Sequence, residues 1–258
     1  MENFNLTKAD NNKVSCVKQI PDDPRGIVIA VHGFTSSKES PTVRLLLEKM
    51  PAAGLGVIGI DLPGHGTGES AKETLRIPGG IDSIEAAERY ALKEYPGRNI
   101  YYFGSSFGAY LLGIYISTRD HAGRRAFWRS AAVNMPQLFH KEEPTEQEKK
   151  LLKELEDKGY FDMSMDQNRP VRVTRQMYQD LLEHDLFKLF DPDRFGTHRI
   201  AMAHGEMDSV IDPDAARKFA AQFDIPVNWF KGEGHSLSND PATPERVAEL
   251  AAELFLRG

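Results

Sequence analysis

The chain has a single cysteine, Cys16, in 258 residues, which excludes an internal disulfide framework. A chain of this length can bury a core without one. Cys16 falls in an expected edge strand and reads as an inert, buried thiol. No apolar run approaches the ~20 residues of a membrane helix. Met1–Asn12 lacks the basic start and apolar centre of a secretory leader. Basic charge is not in excess either: 32 Lys and Arg stand against 38 Asp and Glu, a net charge of −6. That removes the electrostatic basis for binding nucleic acid. There is no G-x-x-x-x-G-K-[ST], no H-E-x-x-H and no cysteine pair for zinc. Gly64-His65-Gly66-Thr67-Gly68 does not fit G-x-G-x-x-G and reads as a structural loop. The expectation is a cytoplasmic protein with no metal, no cofactor, no membrane or nucleic-acid partner, and a small-molecule ligand.

What the chain does contain is an alternation of short apolar runs with segments of helical period, the pattern of an α/β fold with a mostly parallel sheet covered on both faces. Strands are expected at Gly26–Val31, Val57–Ile60, Asn99–Phe103, Ala126–Val133, Arg199–Ala203 and Pro226–Phe230. Phe4–Ile20 reads as one or two antiparallel edge strands. A first helix carries Val43, Leu46, Leu47 and Met50 and is stopped by Pro51; a second begins at Asp82 or Ser83 as cap. Helices after Asp212-Pro213 and through Val247–Phe255 close the chain.

Gly104-Ser105-Ser106-Phe107-Gly108 stands between a β-branched, aromatic run and a helical one. That is the setting in which G-x-S-x-G forms a nucleophile elbow. A serine hydroxyl is a weak nucleophile near neutral pH and needs a base, which in turn needs an orienting acid. The chain order that accompanies such elbows is Ser, acid, His. Asp208 follows the strand ending at Ala203, and His235 lies in a glycine-flanked loop after the strand ending at Phe230. Asp212 reads as a helix N-cap and Glu206 lies too near its strand end. Of the seven other histidines, His32 and His65 sit in loops they could tie together. His204 stands too close to Asp208 in sequence to serve it across a site. An oxyanion needs two backbone N–H donors. Phe107 supplies one, and Phe34, in the turn His32-Gly33-Phe34-Thr35, the other.

The alternation breaks between Met135 and Phe190, which divides the chain into a first core part (1–134), a cap insertion (135–190) after the sixth strand, and a second core part (191–258). Lys141–Lys158 is dense in Glu and Lys, with pairs such as Glu146–Lys150 and Glu154–Lys158, and reads as a solvated helix face. Tyr160, Phe161, Met165 and Tyr178 are candidates for an apolar substrate pocket under that cap.

Taken together, Val31-His32-Gly33-Phe34-Thr35, Asp61-Leu62-Pro63-Gly64-His65-Gly66, Gly104–Gly108, His204–Asp208 and Gly234-His235 resemble the serine α/β-hydrolases. The H-G-F-T segment and the cap look most like bacterial feruloyl and cinnamoyl esterases. That resemblance implies an α/β-hydrolase fold and a carboxylic-ester hydrolase working through an acyl-enzyme, on hydroxycinnamoyl or short-to-medium acyl esters. Those esterases usually carry H-S-Q-G, whereas this chain has Ser105-Ser106-Phe107-Gly108, putting a ring where they have an amide. The same three residues would also suit a thioesterase, a monoacylglycerol lipase or a peptidase. A ligand-binding protein on a hydrolase scaffold is the alternative of another class.

Overall fold

The computed structural model describes residues 1–164 and 170–257. The chain opens with a hairpin, β1 (Glu2–Thr7) and β2 (Lys13–Gln19), followed by β3 (Gly26–Val31), α1 (Pro41–Lys49) and β4 (Leu55–Ile60). Next come α2 (Ile77–Glu94), β5 (Asn99–Ser105), α3 (Phe107–Thr118) and β6 (Gly123–Arg129). After β6 the chain leaves the sheet for α4 (Met135–Phe139), α5 (Glu146–Lys158), β7 (Tyr160–Met163), β8 (Val171–Thr174), α6 (Arg175–Glu183), α7 (Leu186–Leu189) and α8 (Pro192–Phe195). It returns as β9 (Ile200–Gly205), α9 (Pro213–Phe223), β10 (Val227–Phe230) and α10 (Thr243–Leu256).

Eight strands form one sheet in the order β1-β2-β4-β3-β5-β6-β9-β10. β1 and β2 pair antiparallel, β2 pairs antiparallel with β4, and every pair from β4 to β10 is parallel. β7 and β8 make a separate antiparallel pair. This is the mostly parallel sheet with flanking helices that the sequence pattern implies.

Strand alternation divides the core in two. On β3, Ile27, Ile29 and Val31 join α2, α3, α9 and the 135–190 segment on one face. Val28 and Ala30 turn to the other, with Val43, Leu46 and Leu47 of α1 and Val247, Ala251 and Phe255 of α10. Such strands are apolar throughout because both faces are covered. All six residues of β3 and of β4 are buried.

Local signals misplace some boundaries. α2 begins at Ile77, with Asp82 and Ser83 inside it and no side-chain cap from Arg76. Its cap is tertiary. The Asp180 carboxylate of α6 accepts from the Ile77 N–H at 3.1 Å while holding the Arg76 guanidinium at 2.5 and 2.7 Å. A partner 103 residues away leaves no local trace. α1 ends at Lys49 with Met50 as its C-cap, directly before Pro51 as expected, and Pro51 then sits in the first positions of a 3₁₀ turn, Met50–Ala53, where no N–H is needed. β6 ends at Arg129, four residues short of Val133, because Ser130 turns out of the strand with φ +46°.

The charged run in 141–158 is only partly a solvated face. Glu146 pairs with Lys149 rather than Lys150, while Glu154–Lys158 forms at 3.0 Å. Leu155 is buried, and Glu148, Leu151 and Leu152 face a cavity described below. The leucines were present in the run, but its charge density concealed their stripe.

A close backbone approach joins α3 to the end of β3. A Cβ on Gly108 would lie 2.3 Å from the Val31 carbonyl oxygen, and one on Gly104 would lie 2.5 Å from Ala109 Cα. Neither obstacle is a flexible side chain, so relief requires moving a helix. Gly108→Ala is expected to lower unfolding stability by about 3 kcal/mol, the upper end of ordinary overpacking. Urea unfolding of the variant checks this.

Candidate active site

The elbow lies where β5 passes into α3. Ser106 has φ +52° and ψ −113°, a conformation that costs a non-glycine residue roughly 1–3 kcal/mol. The surrounding structure fixes it: the Ser106 N–H donates to the Arg129 carbonyl at 2.8 Å, and the Ser106 carbonyl accepts from Ala109 at 3.0 Å and Ala132 at 3.2 Å. The turn leaves the side chain half-exposed above the strand ends.

Three loops converge on it. His235 Nε2 lies 3.1 Å from Ser106 Oγ, and His235 Nδ1 lies 2.8 Å from Asp208 Oδ2. The other Asp208 oxygen accepts from the N–H groups of Val210 and Ile211, both at 2.9 Å. Burial would raise the Asp208 carboxyl. Hydrogen bonds from His204 and His235, with the Ile211 N–H, outweigh that and hold it well below the usual carboxylate range. Asp208 is thus anionic beside an imidazole whose Nδ1–H it can accept.

His204 is closer to this group than its sequence position suggested. A loop that turns back on its strand brings His204 Nε2 within 3.3 Å of Asp208 Oδ2 and 3.2 Å of the Ile211 carbonyl. The ring is fully buried and packs against Trp229 at 5.6 Å. Asp212 caps α9, accepting from the Asp214 N–H at 2.9 Å. Glu206 is exposed.

The two N–H groups expected to receive an oxyanion belong to the elbow and to the turn after β3. The Phe107 N–H opens α3, where helix N–H groups lack intrahelical partners. Gly33 brings the other loop close: a Cβ there would sit 3.3 Å from Ser106 Cβ. Among the described residues, no backbone carbonyl or side chain accepts from the Phe34 or Phe107 N–H. Behind Phe34, the Thr35 N–H donates to His65 Nε2 at 3.1 Å, and the Leu62 N–H donates to His32 Nε2 at 3.1 Å. Asp61 completes the scaffold by accepting from the Lys38 N–H at 2.7 Å and its ammonium at 3.0 Å.

A cavity of about 590 Å³ opens at Ser106 and His235. Phe34, Phe107, Phe139 and Phe161 give it an aromatic wall, to which Met135, Leu138, Leu151 and Met163 add aliphatic surface. Phe107 is fully buried and meets Phe34 edge-on at 5.5 Å. The carboxylate at the cavity, Glu148, is hydrogen-bonded by Lys141 at 2.6 Å and by the capping Thr145, which holds it down to about 2.

Of the pocket candidates, Phe161 and Tyr178 line the cavity. Tyr160 does not: β7 alternates, so Phe161 and Met163 face inward while Tyr160 carries the Arg172 guanidinium 3.8 Å above its ring. Met165 lies outside the described residues. Met163, Leu138 and Phe139 were missed, since no local pattern marks which apolar residues of an irregular segment face a cavity. Among the described residues no cluster of three acidic, His or Cys side chains could hold a metal ion, and no helix is long and apolar enough to cross a membrane.

A family model described as serine aminopeptidase, S33, matches residues 22–187, more than half of the chain. Among solved structures, Est1E from Butyrivibrio proteoclasticus superposes with a TM-score of 0.76 at 17% identity over 100% of both chains. The same protein with ferulic acid bound gives 0.75 at 18% identity, covering 98% of each chain. A thermostable carboxyl esterase from Bacillus coagulans, bound to glycerol, gives 0.71 at 15% identity, covering 98% of this chain and 97% of that one. At these identities the likeness speaks for the fold. No curated protein sequence matches the chain.

The buried histidines make stability depend on pH. Burial holds His32 down to about 4 and His65 down to about 3. The unfolded chain therefore takes up protons near 6.5 that the native state refuses. This stability is complete above pH 6.5 and lost as pH falls toward 4, at up to roughly 1.4 kcal/mol per pH unit for each histidine. Urea unfolding at pH 7, 6 and 5 should show that decline. His65→Gln, which keeps an acceptor for the Thr35 N–H, should flatten it by about half.

Proposed function

The chain belongs to the serine aminopeptidase S33 family of α/β-hydrolases, and on that premise we propose that it is a serine esterase hydrolysing carboxylic esters with an apolar acyl group. The observation that carries this is the relay from Ser106 Oγ to His235 Nε2 at 3.1 Å and from His235 Nδ1 to Asp208 Oδ2 at 2.8 Å.

In this reading Ser106 Oγ attacks the ester carbonyl and passes its proton to His235 Nε2. Asp208 holds the imidazole in the tautomer with Nδ1 protonated and stabilises the imidazolium that forms. The N–H groups of Phe34 and Phe107 receive the oxyanion, their value coming from being aimed before the charge develops. The intermediate collapses, His235 returns the proton to the leaving alcohol, and Ser106 keeps the acyl group. Water then attacks by the same steps in reverse roles, releasing the acid and restoring Ser106.

Residues 135–190 serve as a cap whose apolar side supplies the acyl pocket. Its aromatic wall suits a hydroxycinnamoyl or short-to-medium acyl group; Est1E, with the same fold, has been solved with ferulic acid. An aminopeptidase would need an anion free to meet the substrate ammonium. The carboxylate at this cavity, Glu148, is already neutralised by Lys141. A pure binder would gain nothing from the strained Ser106 backbone, a kind of strain that clusters at active sites.

A fluorophosphonate should label Ser106, and His235→Ala should abolish the labelling. Ser106→Ala should lower kcat/KM on p-nitrophenyl butyrate by at least about 10³-fold; a variant that keeps full turnover would rule the mechanism out. Phe161→Trp narrows the cavity and is expected to raise the acetyl-over-octanoyl preference by about tenfold, the worth of one or two methylenes. An unchanged acyl-length profile would remove the cap from substrate selection.

A further inference from the structure

The strands that precede Ser106 and His235 are not neighbours. β6 and β9 separate β5 from β10, a span of roughly 14 Å at normal strand spacing. The loop bearing His235 must therefore fold back across the ends of two strands to come within hydrogen-bond reach of Ser106. It crosses the end of β6. There two consecutive side chains grip two consecutive peptide carbonyls: the Arg129 guanidinium donates to the Ser236 carbonyl, and Ser130 Oγ donates to the His235 carbonyl at 2.8 Å. The other arm of the guanidinium donates to Ser105 Oγ at 2.8 Å, one residue before Ser106.

We propose that Arg129, seconded by Ser130, is a positioning residue that sets the separation of Ser106 and His235 by bridging the elbow strand to the histidine loop. The proposal rests on the reading of those two residues as nucleophile and base.

The cost of keeping Arg129 supports the assignment. It is 8% exposed and makes no ion pair within 4 Å among the described residues. Burial holds the guanidinium down to about 10, against the opposing pull of Asp208 and Glu233. An uncharged side chain would occupy the site more cheaply. What it could not supply is a planar fork reaching an acceptor on each side. Ser130 carries a cost too, since its φ of +46° is a glycine-like conformation held by an N–H bond to Ala203 at 2.8 Å. Within the loop, Glu233 accepts from the N–H groups of Asn239 and Asp240 at 2.9 and 2.8 Å. The loop thus arrives as a preformed unit, and the grip at β6 fixes where it docks.

The test is steady-state hydrolysis of p-nitrophenyl butyrate by Arg129→Met, Arg129→Lys, Ser130→Ala and Arg129→Met/Ser130→Ala. Rates are expressed per active site titrated with fluorophosphonate, which removes any misfolded fraction. A misplacement of about 1 Å costs on the order of 10²-fold. Arg129→Met should therefore lose about 30- to 100-fold in kcat with KM within about threefold of wild type. Arg129→Lys, which can still reach one acceptor, should recover at least about threefold of that loss. The double variant should fall no more than about threefold below Arg129→Met, since both residues hold one loop. Wild-type kcat per titrated site with only a lower Tm would make Arg129 purely structural and overturn the proposal. A raised KM with kcat retained would make it a substrate contact and overturn it equally. Should the wild-type protein neither turn over esters nor label, the esterase reading fails, and this proposal fails with it.

Discussion

The site depends on a contact between two backbones with no side chain between them. Gly108 at the first turn of α3 lies against the carbonyls of Val31 and His32, so the helix after the elbow sits directly on the end of the central strand. Several consequences follow from that approach. The chain must leave β5 through the strained positive-φ conformation at Ser106, which lifts the hydroxyl above the sheet. The loop after β3 is forced alongside, where Gly33 meets Ser106. On the proposed reading, the N–H groups of Phe34 and Phe107 would then face the same space as the hydroxyl. A Cβ at position 108 would disturb all of these together.

Polar burial around this contact follows one logic. His32, His65 and Asp61 are almost fully buried, yet each accepts from loop N–H groups that would otherwise be orphaned. The neutral state of the two histidines is what makes them acceptors, and burial enforces it. Across the site, burial likewise disfavours the charged form of Asp208. There, donors outnumber the desolvation cost, and the carboxylate stays charged. His235, more open than either buried histidine, is left as the ring that faces Ser106. Three histidines near one site thus differ in role because their surroundings differ: two are buried acceptors for loop N–H groups, and one stands between Ser106 and Asp208.

This contrast explains what the sequence could and could not disclose. The elbow, the order Ser106–Asp208–His235 and the alternating strands are legible because they rest on local chemistry: glycines at close approaches, periodicity, loops following strands. Cap and boundary details resist because tertiary partners create them. Asp180 starts α2 from another part of the chain, and His204 reaches Asp208 only once the intervening loop has turned. Arg129 reads in sequence as the end of a strand; nothing local shows that Ser105 and Ser236 will lie on either side of it. Tyr160 and Phe161 were equivalent until the pleat of β7 sent them to opposite faces.

The departure at Phe107 takes on a different meaning in the folded protein. A ring in place of an amide reads in sequence as an altered wall. In the structure the ring is fully buried, edge-on to Phe34 and stacked on Tyr110 at 5.8 Å. Phe34 in turn meets Phe139 at 6.1 Å. Aromatic pairs of this kind contribute about 0.5–1.5 kcal/mol beyond their buried area. The two residues proposed as oxyanion donors are therefore packed against each other, and against α4, through their side chains. Substituting Phe107 would alter the cavity surface and the spacing of the two donors at once. On the proposed reading, substrate preference and transition-state stabilisation would be coupled at this residue by packing, even though its backbone alone would perform the chemistry.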